Sequence, residues 1–183
     1  VMTDQDTTFP ENYLTAVAHA AASTEAGLLA PVVKGNGVVI SPCIQNSSLR
    51  FLPGGPEEKT GSGRHYFINS GLAIRGRIFF REGIRYNEDL FLDFTDFDLE
   101  NQIRARGREK TAILKNVVLT QRFSGTEERT AQQDLERYRR YVHDGTVFYN
   151  KWHPGSSRPR VLLKGRGLKL AWKHKDRRFL KKF

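Results

Sequence analysis

The stretch VMTDQDTTFPENYLTAVAHAAASTEAGLLA (residues 1–30) poses the question on which the fold turns. Asp4 and Asp6 stand two positions apart, with only Val1, Met2 and Thr3 ahead of them. In an extended segment such a pair shares one face. Two carboxylates on one face can turn toward a single hard cation, with phosphate oxygens completing its shell. The same residues also read as two solvated turn aspartates ahead of a helix, with Asp6 or Thr7 as its N-cap. From Pro10 onward the stretch predicts a helix. Pro10 suits the first helical turn, Glu11 complements the N-terminal dipole, and Leu14, Val17, Ala18, Ala21 and Ala22 make an i, i+3, i+4 stripe.

Beyond it, VVKGNGVVISPCIQ (32–45) is strand-like around a Gly-Asn-Gly turn. SSLRFLPGGPEEKTGSG (47–63) reads as loop. RHYFINSGLAIRGRIFFREG (64–83) reads as a strand, a tight turn at Ser70-Gly71, then a short helix or strand. NEDLFLDFTDFDLENQIRARG (87–107) starts as a loop and ends as a helix over Phe97–Arg106, stopped by Gly107. KTAILKNVVLTQRF (110–123) alternates and is β-branched, as a strand or hairpin is. RTAQQDLERYRRYVHDGTVFYNKW (129–152) spaces Leu135, Tyr138, Tyr141, Val142 and Phe148 as a helix does. Strands alternating with helices predict an α/β domain.

Composition narrows the class. A hydrophobic fraction of 38% belongs to a globular chain. One cysteine, Cys43, excludes an internal disulfide and a zinc site of several thiolates, and fits a reducing, cytoplasmic setting. No apolar run is long enough to span a bilayer, and the opening residues lack the pattern of a signal peptide. The net charge of +10 is uneven. Residues 158–183 hold eleven Lys and Arg against one acid, Asp176, so residues 1–157 are neutral. The expected organisation is therefore a domain over 1–157 and a basic tail over 158–183.

In that tail, Leu168, Trp172, Phe179 and Phe183 are expected on one helical face, beside Lys169, Lys173, Arg177 and Lys181. Such a helix can lie on an anionic membrane, each basic residue contributing about 1 kcal/mol. It can equally pack on the domain with a solvated basic face. Phosphate-backbone contact is a third reading, and no nucleic-acid motif accompanies it.

Two further stretches carry chemistry. Asp93, Asp96 and Asp98 lie among Phe91, Leu92, Phe94 and Phe97, and apolar neighbours raise a carboxyl's pKa and make it a better base near neutrality. Asp96 or Asp98 can instead cap the following helix. Asn69-Ser70-Gly71 sets a hydroxyl and a flexible backbone at a pocket edge, or forms a plain β-turn.

Together, TDQDTTFP (3–10), FINSGLAIR (67–75), YNEDLFLDFTDFDLENQIRARG (86–107) and NVVLTQRFSG (116–125) resemble the second half of a family 2 GT-A glycosyltransferase, of the bacterial rhamnosyltransferase-like kind. The resemblance spans about residues 1–153. It implies a GT-A-like mixed sheet flanked by helices and lacking the N-terminal nucleotide-binding strands, since in this family D-x-D ends a strand near mid-domain. It implies that Asp4 and Asp6 hold Mg²⁺ or Mn²⁺ against the diphosphate of a nucleotide-sugar donor. Asp96 is the implied general base, Asp98 the acidic position that follows it, and Asn69, Ser70 and Gly71 line the sugar and acceptor pocket. The implied reaction is an inverting transfer, of a deoxyhexose such as rhamnose, to a bacterial surface polysaccharide or lipid-linked acceptor. The implied location is cytoplasmic, peripheral to the inner face of the membrane through 158–183. The missing strands imply a homo-oligomer or a separate N-terminal half, because an uncovered edge invites pairing.

The chain departs from that pattern at Gln102, where family members commonly carry Arg, and at Gln121, where they often carry His. His65, His143 and His153 are the remaining imidazoles of interest, each also readable as a core or surface residue. The alternative functions are an inactive remnant or partner-binding module of the same fold and, of another class, a basic nucleic-acid-binding protein.

Overall fold

The computed structural model describes residues 1–56, 65–107, 110–122 and 129–181. It is a mixed α/β structure of two compact units, Val1–Arg85 with Leu99–Gly125, and Tyr86–Asp98 with Thr126–Phe183.

The first unit is built on one continuous apolar run. Strand β2 (Leu28–Gly35) is buried at every position but Lys34, as a strand covered on both faces must be. It pairs in parallel with β8 (Thr111–Gln121) and antiparallel with β3 (Val38–Ser41) and β7 (Ala73–Ile74). Strand β1 (Thr7–Thr8) adds to the far side of β8. The sheet order is β1-β8-β2-β3, with β7 also on β2. Pro31 sits inside the central strand, and there the β2–β8 register jumps from Pro31↔Leu114 to Val32↔Val118. A residue without an N–H is tolerated where the ladder is already broken. Asn36 (φ 51°) and Gly37 (φ 79°) turn β2 into β3, the left-handed pair that a two-residue hairpin requires. A small antiparallel sheet of β5 (Phe51–Pro53), β4 (Cys43–Gln45) and β6 (His65–Tyr66) follows.

Helix α1 (Tyr13–Ser23) corrects the expected helix at both ends and on its face. Pro10–Asn12 forms a turn, with the Tyr13 N–H donating to Pro10 O at 3.0 Å. Neither Asp6 nor Thr7 caps the helix; Asn12 is its N-cap residue. Leu28–Ala30 has left the helix for β2, because pairing with β8 there satisfies the backbone at once. The inward stripe is buried Tyr13 with half-buried Ala16, Val17, Ala20 and Ala21, packed on Val33, Leu119 and Ala73, whereas Leu14 is 70% exposed. After the Ser70-Gly71 turn, where a short helix or strand is expected, both occur: β7, then helix α2 (Gly76–Phe80).

Helix α3 (Thr95–Ala105) is the one expected near Phe97–Arg106, and Gly107 (φ 69°) ends it. In the first unit its inner face carries Leu99 and Ile103, both buried, with Glu100 between them. The Glu100 carboxylate accepts the Phe67 N–H at 2.7 Å and an Arg104 N–H at 2.9 Å, and Asn101 accepts the Tyr66 hydroxyl at 2.9 Å. These bonds fasten the residue 65–70 stretch to the helix.

The second unit is helical. Helix α4 (Ala131–Trp152) starts with a capping box between Thr130 and Gln133, which satisfies two orphan N–H groups at once. Helix α5 (Arg158–His174) packs on it through Pro159, Leu163 and Gly167. The expected single amphipathic face over the tail is not formed. Lys175 is left-handed (φ 51°) and ends α5, and Arg177–Leu180 is a short 3-10 turn. That break turns Phe179 inward, 1% exposed, against Leu135 and Tyr138. Phe183 lies outside the described residues. Among the described residues no helix is long and apolar enough to cross a membrane.

Candidate functional site

In the first unit, Val1–Thr3 runs alongside the Ser70-Gly71 turn. The Met2 N–H donates to Leu72 O at 2.9 Å, and the Gly71 N–H donates to Met2 O at 3.0 Å. Of the two readings the sequence allows for the D-x-D pair that follows, the structure has the turn and not the extended segment. Asp4 O accepts the Thr7 N–H at 3.3 Å, making Asp4 the first residue of a β-turn, a position that aspartate favours. The turn then enters β1 and the ladder with β8, where Thr7 faces Gln121.

That short ladder gathers residues far apart in sequence. The Ser70 hydroxyl, fully buried, donates to Asp4 Oδ2. Gln121 Nε2 donates to Asp6 Oδ1 at 3.0 Å, and the Arg122 N–H donates to Asp6 O at 3.0 Å. Both aspartates are exposed. Thr7 Oγ1 is buried and has no hydrogen-bond partner among the described residues.

Gly71 makes the approach possible. Its φ of 74° lies in the left-handed region, and a Cβ there would overlap Leu119 Cδ2. Its carbonyl accepts the buried Tyr13 hydroxyl at 2.7 Å. Burial pushes that phenol up to about 12, so it stays a donor at neutral pH. Asn69 is half-buried and closes the turn, its carbonyl accepting the Leu72 N–H at 3.0 Å. Three segments of the first unit that the sequence singled out, residues 4–6, 69–71 and 121, therefore meet.

The donor set at this place is oxygen, from two carboxylates with a carboxamide beside them. Hard divalent cations take such donors. Among the described residues no group of three or more His, Cys, Asp and Glu gathers to hold a metal, so Asp4 and Asp6 would need a ligand's oxygens to complete a coordination shell.

In the second unit, the three aspartates that look alike in sequence hold three different positions. Asp93 forms a bidentate pair with Arg137, whose Nη2 donates to Oδ1 at 2.8 Å. The hydrogen bond to Asp93 raises the guanidinium's pKa above its ordinary value, against the opposing effect of burial. Asp98 is fully buried, 2.9 Å from Lys151 Nζ, and accepts Trp152 Nε1–H at 2.6 Å. It ties the start of α3 to the end of α4. Asp96 is half-buried in the first turn of α3, with its Oδ1 accepting the Phe97 N–H at 3.0 Å.

Sequence reasoning missed Asp144. It is fully buried, and its carboxylate accepts the N–H groups of Phe91, Leu92 and Asp93 at 3.1, 2.9 and 2.8 Å, with His143 Nδ1 at 3.1 Å. Burial alone would raise its pKa. The hydrogen bonds from His143 and the three amides outweigh that and hold it below the ordinary carboxylate value. It shapes the loop that leads to Asp93 and Asp96. The signal in the sequence was an acid placed on the stripe of Tyr141 and Phe148.

The remaining singled-out residues are also placed. Gln102 Nε2 donates to Arg85 O at 2.9 Å. Among the described residues His65 Nε2 is buried without a hydrogen-bond partner, and burial lowers the pKa of His153. A cavity of about 730 Å³ opens over Val17, Ala21, Leu29 and Ala73 beside Arg75 and Phe80; neither Asp4, Asp6, Ser70 nor Gln121 lines it.

Comparison with family models, with curated proteins and with solved structures gives no match for this chain.

Proposed function

We propose that the chain is the donor-metal and acceptor-base portion of a GT-A-like inverting glycosyltransferase, acting on a nucleoside-diphosphate sugar. The observation that carries this reading is the meeting of Asp4, Asp6, Ser70 and Gln121 around one turn of the first unit. A mixed sheet with helices is the coarse architecture the reading needs. A further support is that Gln121, which stands where family members often carry His, lies against the D-x-D pair.

In this reading Asp4 and Asp6 would hold Mg²⁺ or Mn²⁺, and such a cation would supply positive charge against the diphosphate of the donor. Ser70 holds the Asp4 carboxylate in place, and Gln121 does the same for Asp6. Asn69 and Gly71 border the sugar and acceptor, and the Asp98 position follows the base. Asp96 takes the acceptor hydroxyl proton as that oxygen attacks the anomeric carbon, so that the acceptor gains a glycosidic bond and the nucleoside diphosphate leaves.

The test is thermal unfolding with Mn²⁺ and a panel of nucleoside diphosphates, alongside release of nucleoside diphosphate from nucleotide sugars. A ligand at a hundred times its Kd stabilises by about 2.7 kcal/mol, a clear rise in Tm. Asp6→Asn should remove that rise. Asp96→Asn should keep it and lower turnover by about 10²–10⁴-fold. An equal Tm rise in Asp6→Asn would overturn the metal assignment. Binding without turnover in the unaltered chain would assign it to the inactive alternative, to which Gln102 and Gln121 lend weight.

A further inference from the structure

Helix α5 has two apolar faces where packing uses one. Toward α4 it buries Pro159, Leu163 and Gly167. A Cβ on Gly167 would lie 2.8 Å from Phe179 O, and the Tyr138 hydroxyl donates to Leu163 O at 3.0 Å. That side of the helix is closely engaged. At 3.6 residues per turn, Val161, Gly165, Leu168 and Trp172 fall on the opposite side. Val161 is 70% exposed, Leu168 60% and Trp172 86%. Among the described residues of the second unit, nothing covers this outward ridge.

Charge decides what the ridge suits. Lys164 and Lys169 fall on its two flanks and are exposed. Neither has an ion-pair or hydrogen-bond partner among the described residues. Arg158 and Arg160 stand at the helix start, and Lys175, Arg177 and Lys181 beyond its end, all exposed. Elsewhere in the segment, cations are matched internally: Lys173 and His174 hold Asp134, and Arg178 holds Asp176. The one acid of residues 158–183 is thus already neutralised.

We propose that this outward face of α5 docks on an anionic phospholipid bilayer. Leu168 and Trp172 enter the headgroup–acyl boundary, where an indole is favoured. Lys164 and Lys169 reach the headgroup phosphates on either side, each strengthening binding roughly fivefold. A second copy of the chain would bring the same cations against themselves, and a nucleic acid gives no use for an aliphatic ridge. The docking face differs from the one the sequence suggests: Val161 joins it and Phe179 is buried in the core.

Flotation of the full chain with vesicles of equimolar phosphatidylcholine and phosphatidylglycerol, against phosphatidylcholine alone, tests the proposal. The chain should float with the anionic vesicles only, less so as salt rises, and its tryptophan emission should shift to the blue. Leu168→Ser with Trp172→Ala should weaken flotation at least about tenfold and remove the shift, with the melting temperature unchanged because both side chains are exposed. Lys164→Gln with Lys169→Gln should weaken it about twenty-five-fold and flatten the salt dependence. Undiminished flotation of the Leu168–Trp172 variant, equal partition onto neutral vesicles, or salt-sensitive binding to duplex nucleic acid without flotation would each overturn it. These outcomes are independent of the sugar-transfer reading, since none of the four residues belongs to the Asp4–Ser70–Gln121 cluster.

Discussion

Gly71 and Asp144 show how single residues carry more than their neighbourhood announces. Gly71 combines a left-handed backbone with a position where a Cβ would overlap Leu119 and crowd Pro31. Gly71→Ala should therefore destabilise by about 3 kcal/mol, read from a urea midpoint at unchanged slope, from strain and overpacking together. The Ser70-Gly71 turn was legible in the sequence; its bond to Asp4 was not, because the partners are 66 positions apart. Asp144 was legible only as an oddity, an acid on an apolar stripe. Asp144→Ala would leave three amide donors without their acceptor and should cost about 3–5 kcal/mol. Phe94, at φ 64° in the loop ahead of α3, is stacked on Phe148 at 5.0 Å. Phe94→Ala should cost about 3–5 kcal/mol as its aromatic cluster loses its centre.

Elements form where local signals and long-range partners agree, and shift where they disagree. Helix α4 had both a capping box and a periodic stripe, and it runs the length expected of it. Thr130→Ala should cost about 1 kcal/mol, measured by denaturant unfolding. Helix α1 had a weak, alanine-rich pattern compatible with several faces. Tyr13, anchored through its hydroxyl to Gly71, rotated the buried stripe one position back, and pairing with β8 took Leu28 and its successors for the sheet. Helix α5 ends at a left-handed lysine, which no periodicity reveals, so Phe179 faces inward. The tie from α3 to α4 rests on Asp98 with Lys151 and Trp152. Lys151→Met should destabilise by about 3 kcal/mol, seen by calorimetry, because it leaves a buried carboxylate with its countercharge removed.

At the scale of the whole molecule, acid response should come through the second unit. Asp134, Asp144 and Asp176 all titrate below the ordinary 3.8 there. For Asp134 and Asp144, burial pushes the other way and is outweighed by Lys173 and His174 in one case and by His143 and backbone amides in the other. Asp176 is lowered by its bonds to Arg178. A carboxyl depressed in the folded state stabilises above its unfolded pKa, and that contribution is lost as pH falls through the folded value. Near-UV circular dichroism should therefore hold steady down to about pH 4 and fall below it, with Asp144→Asn flattening the fall. By itself the sequence determined the features that near neighbours control: the Asn36-Gly37 turn, the long helix over 131–152, the helix that Gly107 ends, and the concentration of cationic charge beyond residue 157. The tertiary structure alone decided which carboxylates remain open to solvent and which are consumed. Burial and pairing are set by partners brought from 53 positions away for Asp98 and 115 for Asp6, and such distances leave no trace in a local pattern.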